Sequence, residues 1–167
     1  ALVQKIGENI QVRRAVIVEG AALATYVHGL KIGVIVAFDK ADEEVTKQVA
    51  MHVAATNPLV VNADDIPADV LAKEHEIASA KAAESGKPAN IVEKMVEGTL
   101  KKFKSEVSLL DQAFVIDPDQ KVGAVLAKAG LTVTSFIRLE VGEGIEKQEV
   151  DFAAEVAATQ AAAAAGQ

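Results

Sequence analysis

Residues 23–38 read LATYVHGLKIGVIVAF, and the alternation in that stretch decides the class of fold. Leu23, Thr25 and Val27 alternate with Ala24, Tyr26 and His28; beyond Gly29-Leu30-Lys31, Ile32, Val34 and Val36 alternate with Gly33, Ile35 and Ala37. Period two on both sides of a short glycine-containing break is the pattern of a β-hairpin. His28 and Gly29 fall at its tip, where a side chain is least committed to packing. A polar tip backed by a rigid apolar sheet suits recognition, and a plain turn in a half-buried sheet accounts for the same residues. The second arm is almost wholly apolar, so helices should cover it.

Working outward, residues 11–19, QVRRAVIVE, are rich in β-branched side chains and stop at a Glu19-Gly20 turn. They are expected to add a first strand, making a three-strand antiparallel meander. Downstream of the hairpin the period changes. Val45, Val49 and Val53 recur every fourth residue behind the acids Asp42, Glu43 and Glu44, which predicts an amphipathic helix stopped by Asn57-Pro58. Residues 62–104 read as two further helices around Ser85-Gly86-Lys87-Pro88. The first, opened by Asp65-Ile66-Pro67, has a thin apolar stripe. The second has a stronger one: Ile91, Val92, Met95, Val96, Leu100 and Phe103. Such an αα-hairpin cannot bury both stripes alone, so it packs on the main domain or on a second copy of itself.

Asp117-Pro118-Asp119 is expected to start a helix, with Asp117 as its cap and Gly130 as its end. Residues 131–141, LTVTSFIRLEV, form the clearest strand. Leu131, Val133, Ser135, Ile137, Leu139 and Val141 should share one face, and the strand should join the sheet. Gly142-Glu143-Gly144 then leads to a last helix around Phe152 and Val156. The expected fold is therefore α+β: an antiparallel sheet of a meander plus a late strand, with packed helices and an inserted helical hairpin. The expected units are residues 1–61 with 105–142 as a discontinuous core, 62–104 as the insertion and 143–167 as a C-terminal helical module. The opening Ala-Leu-Val-Gln-Lys, without an initiator Met, reads as a cut with something upstream.

Composition bounds the function. A chain of 167 residues with 50% hydrophobic and only 4% aromatic residues makes one domain with an aliphatic core. No apolar run approaches the ~20 residues of a membrane helix. The absence of cysteine excludes disulfides and thiolate metal sites and fits a reducing compartment. A net charge of −7 without a basic run argues against nucleic acid as a partner. The three histidines, His28, His52 and His75, are not at ligand spacing with carboxylates, so no metal site is expected. His52 lies on an apolar helix face as a satisfied core or boundary residue, and His75 on a polar one. Gly142-Glu143-Gly144 lacks the third glycine of a dinucleotide loop, and Gly86-Lys87 lacks the upstream glycine of a P-loop. From its residues the chain is a soluble binding module with no enzymatic site and no cofactor.

A string of motifs extends this reading. KIGENI at residues 5–10 with Arg13-Arg14, YVHGLKIGV at 26–34, AMHVAATNP at 50–58 and SGKP at 85–88 come first. KMVEGTLKKF at 94–103, EVSLLDQAFV at 106–115, FIRLEVGEGIEK at 136–147 and DFAAEVAA at 151–158 follow. Together, in this order and spacing, they resemble bacterial elongation factor Ts, the guanine-nucleotide exchange factor of the translation GTPase EF-Tu. The resemblance implies a cytoplasmic, non-enzymatic partner of EF-Tu. Ile6 and Gly7, His28 at the hairpin tip and Val115 would lie on the surface facing the GTPase. It also implies that residues 62–104 correspond to a dimerisation region, which makes the helical hairpin a candidate homodimer surface beside simple packing on the main domain. The closing helix resembles a module reaching the GTPase's nucleotide domain. The family's Thr-Asp-Phe-Val loop, which enters the GTPase near the nucleotide's magnesium, has no counterpart here, because the only Asp-Phe pair, Asp151-Phe152, stands in DFAAE. The expectation is binding to EF-Tu with weak or no exchange. The alternative is a self-associating scaffold acting through its helical hairpin.

Overall fold

The computed structural model describes residues 2–7 and 12–144. A short helix α1 (Leu2–Ile6) precedes the hairpin of β1 (Ala22–His28) and β2 (Ile32–Phe38). Helix α2 (Glu43–Thr56) follows, then the inserted pair α3 (Ala68–Ala83) and α4 (Ala89–Val107), helix α5 (Val122–Ala129) and strand β3 (Val133–Glu140). The sheet is antiparallel throughout, in the order β1-β2-β3. The α+β class and the interrupting helical pair are as the sequence predicts.

One face of the sheet carries Ala24, Val34, Val36, Phe38 and Val133, and packs on Val49 and Val53 of α2 and Val122 and Leu126 of α5. Leu109 and Phe114 complete this core. Its largest fully buried side chains include Phe38, Leu109 and His52. Helix α2 starts where the Asp42 carboxylate accepts the amides of Glu44 and Val45, at 3.1 and 2.9 Å. Such a cap is worth about 1 kcal/mol. The helix stops at Asn57, which takes the left-handed conformation (φ 48°), and Pro58 prevents continuation.

The predicted strand at 11–19 is not formed: residues 12–19 make no ladder, and Val12 and Ile17 are exposed. Strand preference measures fit to a pleated, half-buried surface, and this segment finds none. It is tied instead at both ends of the sheet. Arg13 donates to the Glu143 carbonyl and Arg14 pairs with the Glu143 carboxylate, at 2.7 and 2.8 Å. At its other end Gly20 lies so close to Ala37 that a Cβ there would sit 2.9 Å from the alanine methyl.

Strand β3 forms, but its faces are not the ones alternation gives. Phe38 pairs with Val133 and Ala37 with Ser135, leaving Thr134 as an extra residue whose hydroxyl donates to the Ala37 carbonyl at 3.2 Å. This bulge reverses the alternation beyond it. Phe136 and Arg138, not Ile137 and Leu139, therefore share the face of Val36 and Val34.

Helix α5 begins later than Asp117-Pro118 suggests. The Phe114 amide donates to the Gln120 carbonyl (2.8 Å) and the Val122 amide to the Gln112 carbonyl (3.1 Å). This pin holds residues 112–114 against 120–122 and precludes a helix starting at Pro118. The Asp117 carboxylate instead accepts the Asp119 amide at 3.3 Å, forming a turn.

The inserted helices meet over Ala78, Ala82 and Val96, a cluster separate from the main core. Helix α4 runs past the predicted end at residue 104 to Val107. The ends of the insertion are clasped by backbone bonds: Leu59 N–H to the Val107 carbonyl at 2.8 Å, Leu109 N–H to Val60 at 2.9 Å and Leu110 N–H to Val61 at 3.2 Å. Asp65 does not cap α3. Its carboxylate accepts the Asn62 backbone and side-chain N–H groups at 3.3 and 3.0 Å in a preceding turn.

Candidate partner-binding site

The hairpin tip is built by Gly29, which turns the chain with φ 57°, a conformation that favours glycine. His28 pairs with Ile32 across the turn, and its imidazole is exposed. The Tyr26 hydroxyl lies 3.3 Å from His28 Nδ1, and the two rings are tilted with centroids 6.2 Å apart. Tyr26 in turn packs against the core. The tip histidine is thus free to meet a partner yet tethered to the sheet. Leu30 beside it is 97% exposed.

The sheet below the tip is cross-braced. Arg138, opposite Val34, donates from Nε to the Ala54 carbonyl at 3.2 Å and pairs with Glu140 at 2.9 Å. Ala54 lies in the last turn of α2, so this contact fixes the C-terminal end of α2 near the tip end of the sheet. Glu140 is the cross-strand neighbour of Ile32, which faces His28 on its other side.

The same end of α2 holds the second predicted region. Phe114 is buried against the main core while Val115 and Ile116, the next two residues, are 41% and 50% exposed. The Val115 amide donates to His52 Nδ1 at 3.2 Å. That bond requires an unprotonated Nδ1, so the proton is on Nε2, which donates to Gln112 Oε1 at 2.8 Å. Burial lowers the imidazole's pKa, and the Gln112 hydrogen bond partly opposes that shift. Contacts through His52, α2 and Arg138 thus connect Val115 to the strands that carry His28.

Ile6 and Gly7 stand apart. Ile6 is half exposed at the end of α1, and Gly7 turns the chain with φ 75°. Among the described residues α1 forms no substantial packing interface with another element. The structure therefore links two of the three predicted regions that fall among the described residues and leaves Ile6 and Gly7 separate. The predicted C-terminal helix around Asp151-Phe152 lies outside the described residues.

Sequence reasoning left out Tyr26, Arg138 and Ile116. Tyr26 carried a signal, since it precedes His28 by two and shares its face. Arg138 carried none, because the bulge that turns it toward α2 is invisible in the alternation. Among the described residues no three His, Asp or Glu side chains gather as a metal site, and no helix is long and apolar enough to cross a membrane.

A family sequence model described as elongation factor TS matches residues 1–143. The chain belongs to the elongation factor Ts family. All four residues read as contact positions, Ile6, Gly7, His28 and Val115, fall inside the matched span. An elongation factor Ts of Psychrobacter sp. (strain PRwf-1) is 63% identical over 164 residues, covering 98% of this chain and 56% of that protein. The elongation factor Ts of Acinetobacter baumannii (strain AYE) has the same identity and coverage. That of Psychrobacter arcticus is 58% identical over 163 residues, covering 98% of this chain and 55% of its own length. The chain thus spans about half the length of these elongation factor Ts relatives.

Proposed function

We propose that this chain is a cytoplasmic, non-enzymatic docking module for EF-Tu, meeting the GTPase through the His28 tip and the Val115 loop, with Ile6 and Gly7 as an outlying contact. The observation that carries this reading is the pairing of exposure with anchorage at both principal regions. His28 and Val115 face solvent, while Tyr26 and Phe114 beside them are packed into the core. A surface prepared in this way loses little conformational entropy on binding.

In a factor of this family, exchange follows from linkage: a partner that binds the nucleotide-free GTPase better than the loaded one drives the nucleotide out. A partner that binds both equally shifts nothing, however tightly it binds. The Thr-Asp-Phe-Val motif to which the resemblance assigns the distortion is absent from this sequence. The chain accordingly supplies affinity and orientation, with weak or no exchange.

Release of a fluorescent GDP from EF-Tu at saturating chain, measured beside direct binding, tests both parts. Binding with slow release is expected. Full-speed release would overturn the division of labour. A chain that elutes as a dimer on size exclusion and ignores EF-Tu would instead support the scaffold reading, which the outward Ile77 and Ile91 of α3 and α4 favour.

A further inference from the structure

Among the described residues the backbone amide of Val115 has no main-chain acceptor; its partner is the imidazole of His52, 63 residues earlier in the chain. The ring is gripped from several sides. Nε2 donates to Gln112 Oε1, which also accepts from the Thr56 hydroxyl at 3.0 Å, and the Gln112 amide nitrogen donates to the Glu106 carbonyl at 2.6 Å. Phe114 packs on the ring face with centroids 5.8 Å apart. The imidazole is fully buried, so its orientation and tautomer are both set.

We propose that His52 is a positioning residue for the loop 113–116: its neutral Nε2–H ring fixes the backbone that sends Phe114 inward and Val115 and Ile116 outward, and protonation releases it. The functional part of this proposal rests on the reading that Val115 faces EF-Tu. A proton on Nδ1 would point at the Val115 N–H, setting donor against donor. It would also bury a cation with no carboxylate bonded to it.

Among the described residues, charged and titratable groups on the neighbouring elements have partners other than the imidazole. Tyr26 of β1 contacts His28, β2 has no titratable side chain, and Arg138 of β3 holds Glu140 and Ala54. Glu106 pairs with Lys102, Asp111 with Lys121, and Lys128 of α5 with Gln120. None of them bonds the imidazole. Because the folded-state pKa is lowered, the neutral ring's contribution is complete above the unfolded value of 6.5 and is lost as pH falls through the folded value.

Two substitutions separate positioning from mere filling of the core. In His52→Asn the carboxamide oxygen stands where Nδ1 did and still accepts the Val115 amide, whereas in His52→Gln the carboxamide reaches Gln112 and leaves that amide unpaired. Amide hydrogen exchange by NMR should show Val115 opening roughly five- to tenfold more often in His52→Gln than in His52→Asn, at similar melting temperatures. In the unsubstituted chain, Val115 protection should fall with pH as the ring titrates, while the Val122 amide stays protected. Both variants should lose that pH dependence. EF-Tu affinity should follow the Val115 amide, weakened in His52→Gln and retained in His52→Asn. Equal exchange in the two variants, or a pH-independent Val115 amide in the unsubstituted chain, would overturn the proposal without any variant needing to bind EF-Tu. The expected exchange pattern with unchanged affinity would uphold His52 as the loop's holder and overturn Val115 as a contact.

Discussion

His28 and Val115 reach solvent by different means, and the difference governs what each substitution does. His28 sits at the end of a strand, and its one side-chain hydrogen-bond partner among the described residues, the Tyr26 hydroxyl, is itself at the surface. Removing the imidazole leaves no cavity. His28→Ala should therefore change stability by no more than about 0.5 kcal/mol, the usual range for surface positions. It should weaken EF-Tu binding, which calorimetry beside a thermal melt would resolve. A large fall in melting temperature would mean that the ring supports the fold and not a contact. The exposure of His28 was legible because it is the last strand residue before the Gly29 turn, where packing neighbours run out. Val115 gave no such signal; only the resemblance singled it out. The bond that holds it spans 63 residues, beyond any local pattern.

Elements were legible where one period ran unbroken. Valines every fourth residue located α2 and alternation located β2, because in both the buried face is apolar; alternation located β1 as well, although its larger apolar side chains, Leu23 and Val27, are on the exposed face. The errors have a common physical form: a long-range contact overrode a sound local preference. Residues 12–19 have strand-forming side chains, but Arg13 and Arg14 draw the segment to Glu143 and it joins no edge. Thr134 is a good strand residue that one additional position turned into a bulge. The inserted pair was read as two helices around a short loop, which form, and they meet in a cluster of their own over Ala78, Ala82 and Val96. Replacing residues 62–104 with a short Gly/Ser linker should leave a core that still melts cooperatively. Loss of the transition would show that α3 and α4 stabilise the sheet after all.

At the scale of the molecule, the helix-covered face of the sheet is closed and the opposite face is not. Leu23 and Val27 point away from α2 and are 50% and 70% exposed. The chain closes its core across the insertion through the clasp of residues 59–61 with 107–110. That clasp bears on the speed of folding. Measured along the chain its contacts are distant, and distant contacts are slow because the intervening loop must first be brought to closure. An αα-hairpin removes the delay, because two antiparallel helices joined by a short turn return the chain to where it left. Once α3 and α4 have paired, the clasp residues meet as if they were sequence neighbours. A flexible Gly/Ser segment as long as 62–104 would restore the full closure entropy, about 0.6 kcal/mol for each doubling of the loop. Stopped-flow refolding should then be slower by about tenfold than with the native helices, and the short linker should recover the native rate. Equal rates for all three would mean that the clasp forms after the rate-limiting step, with the helical pair indifferent to how fast the core assembles.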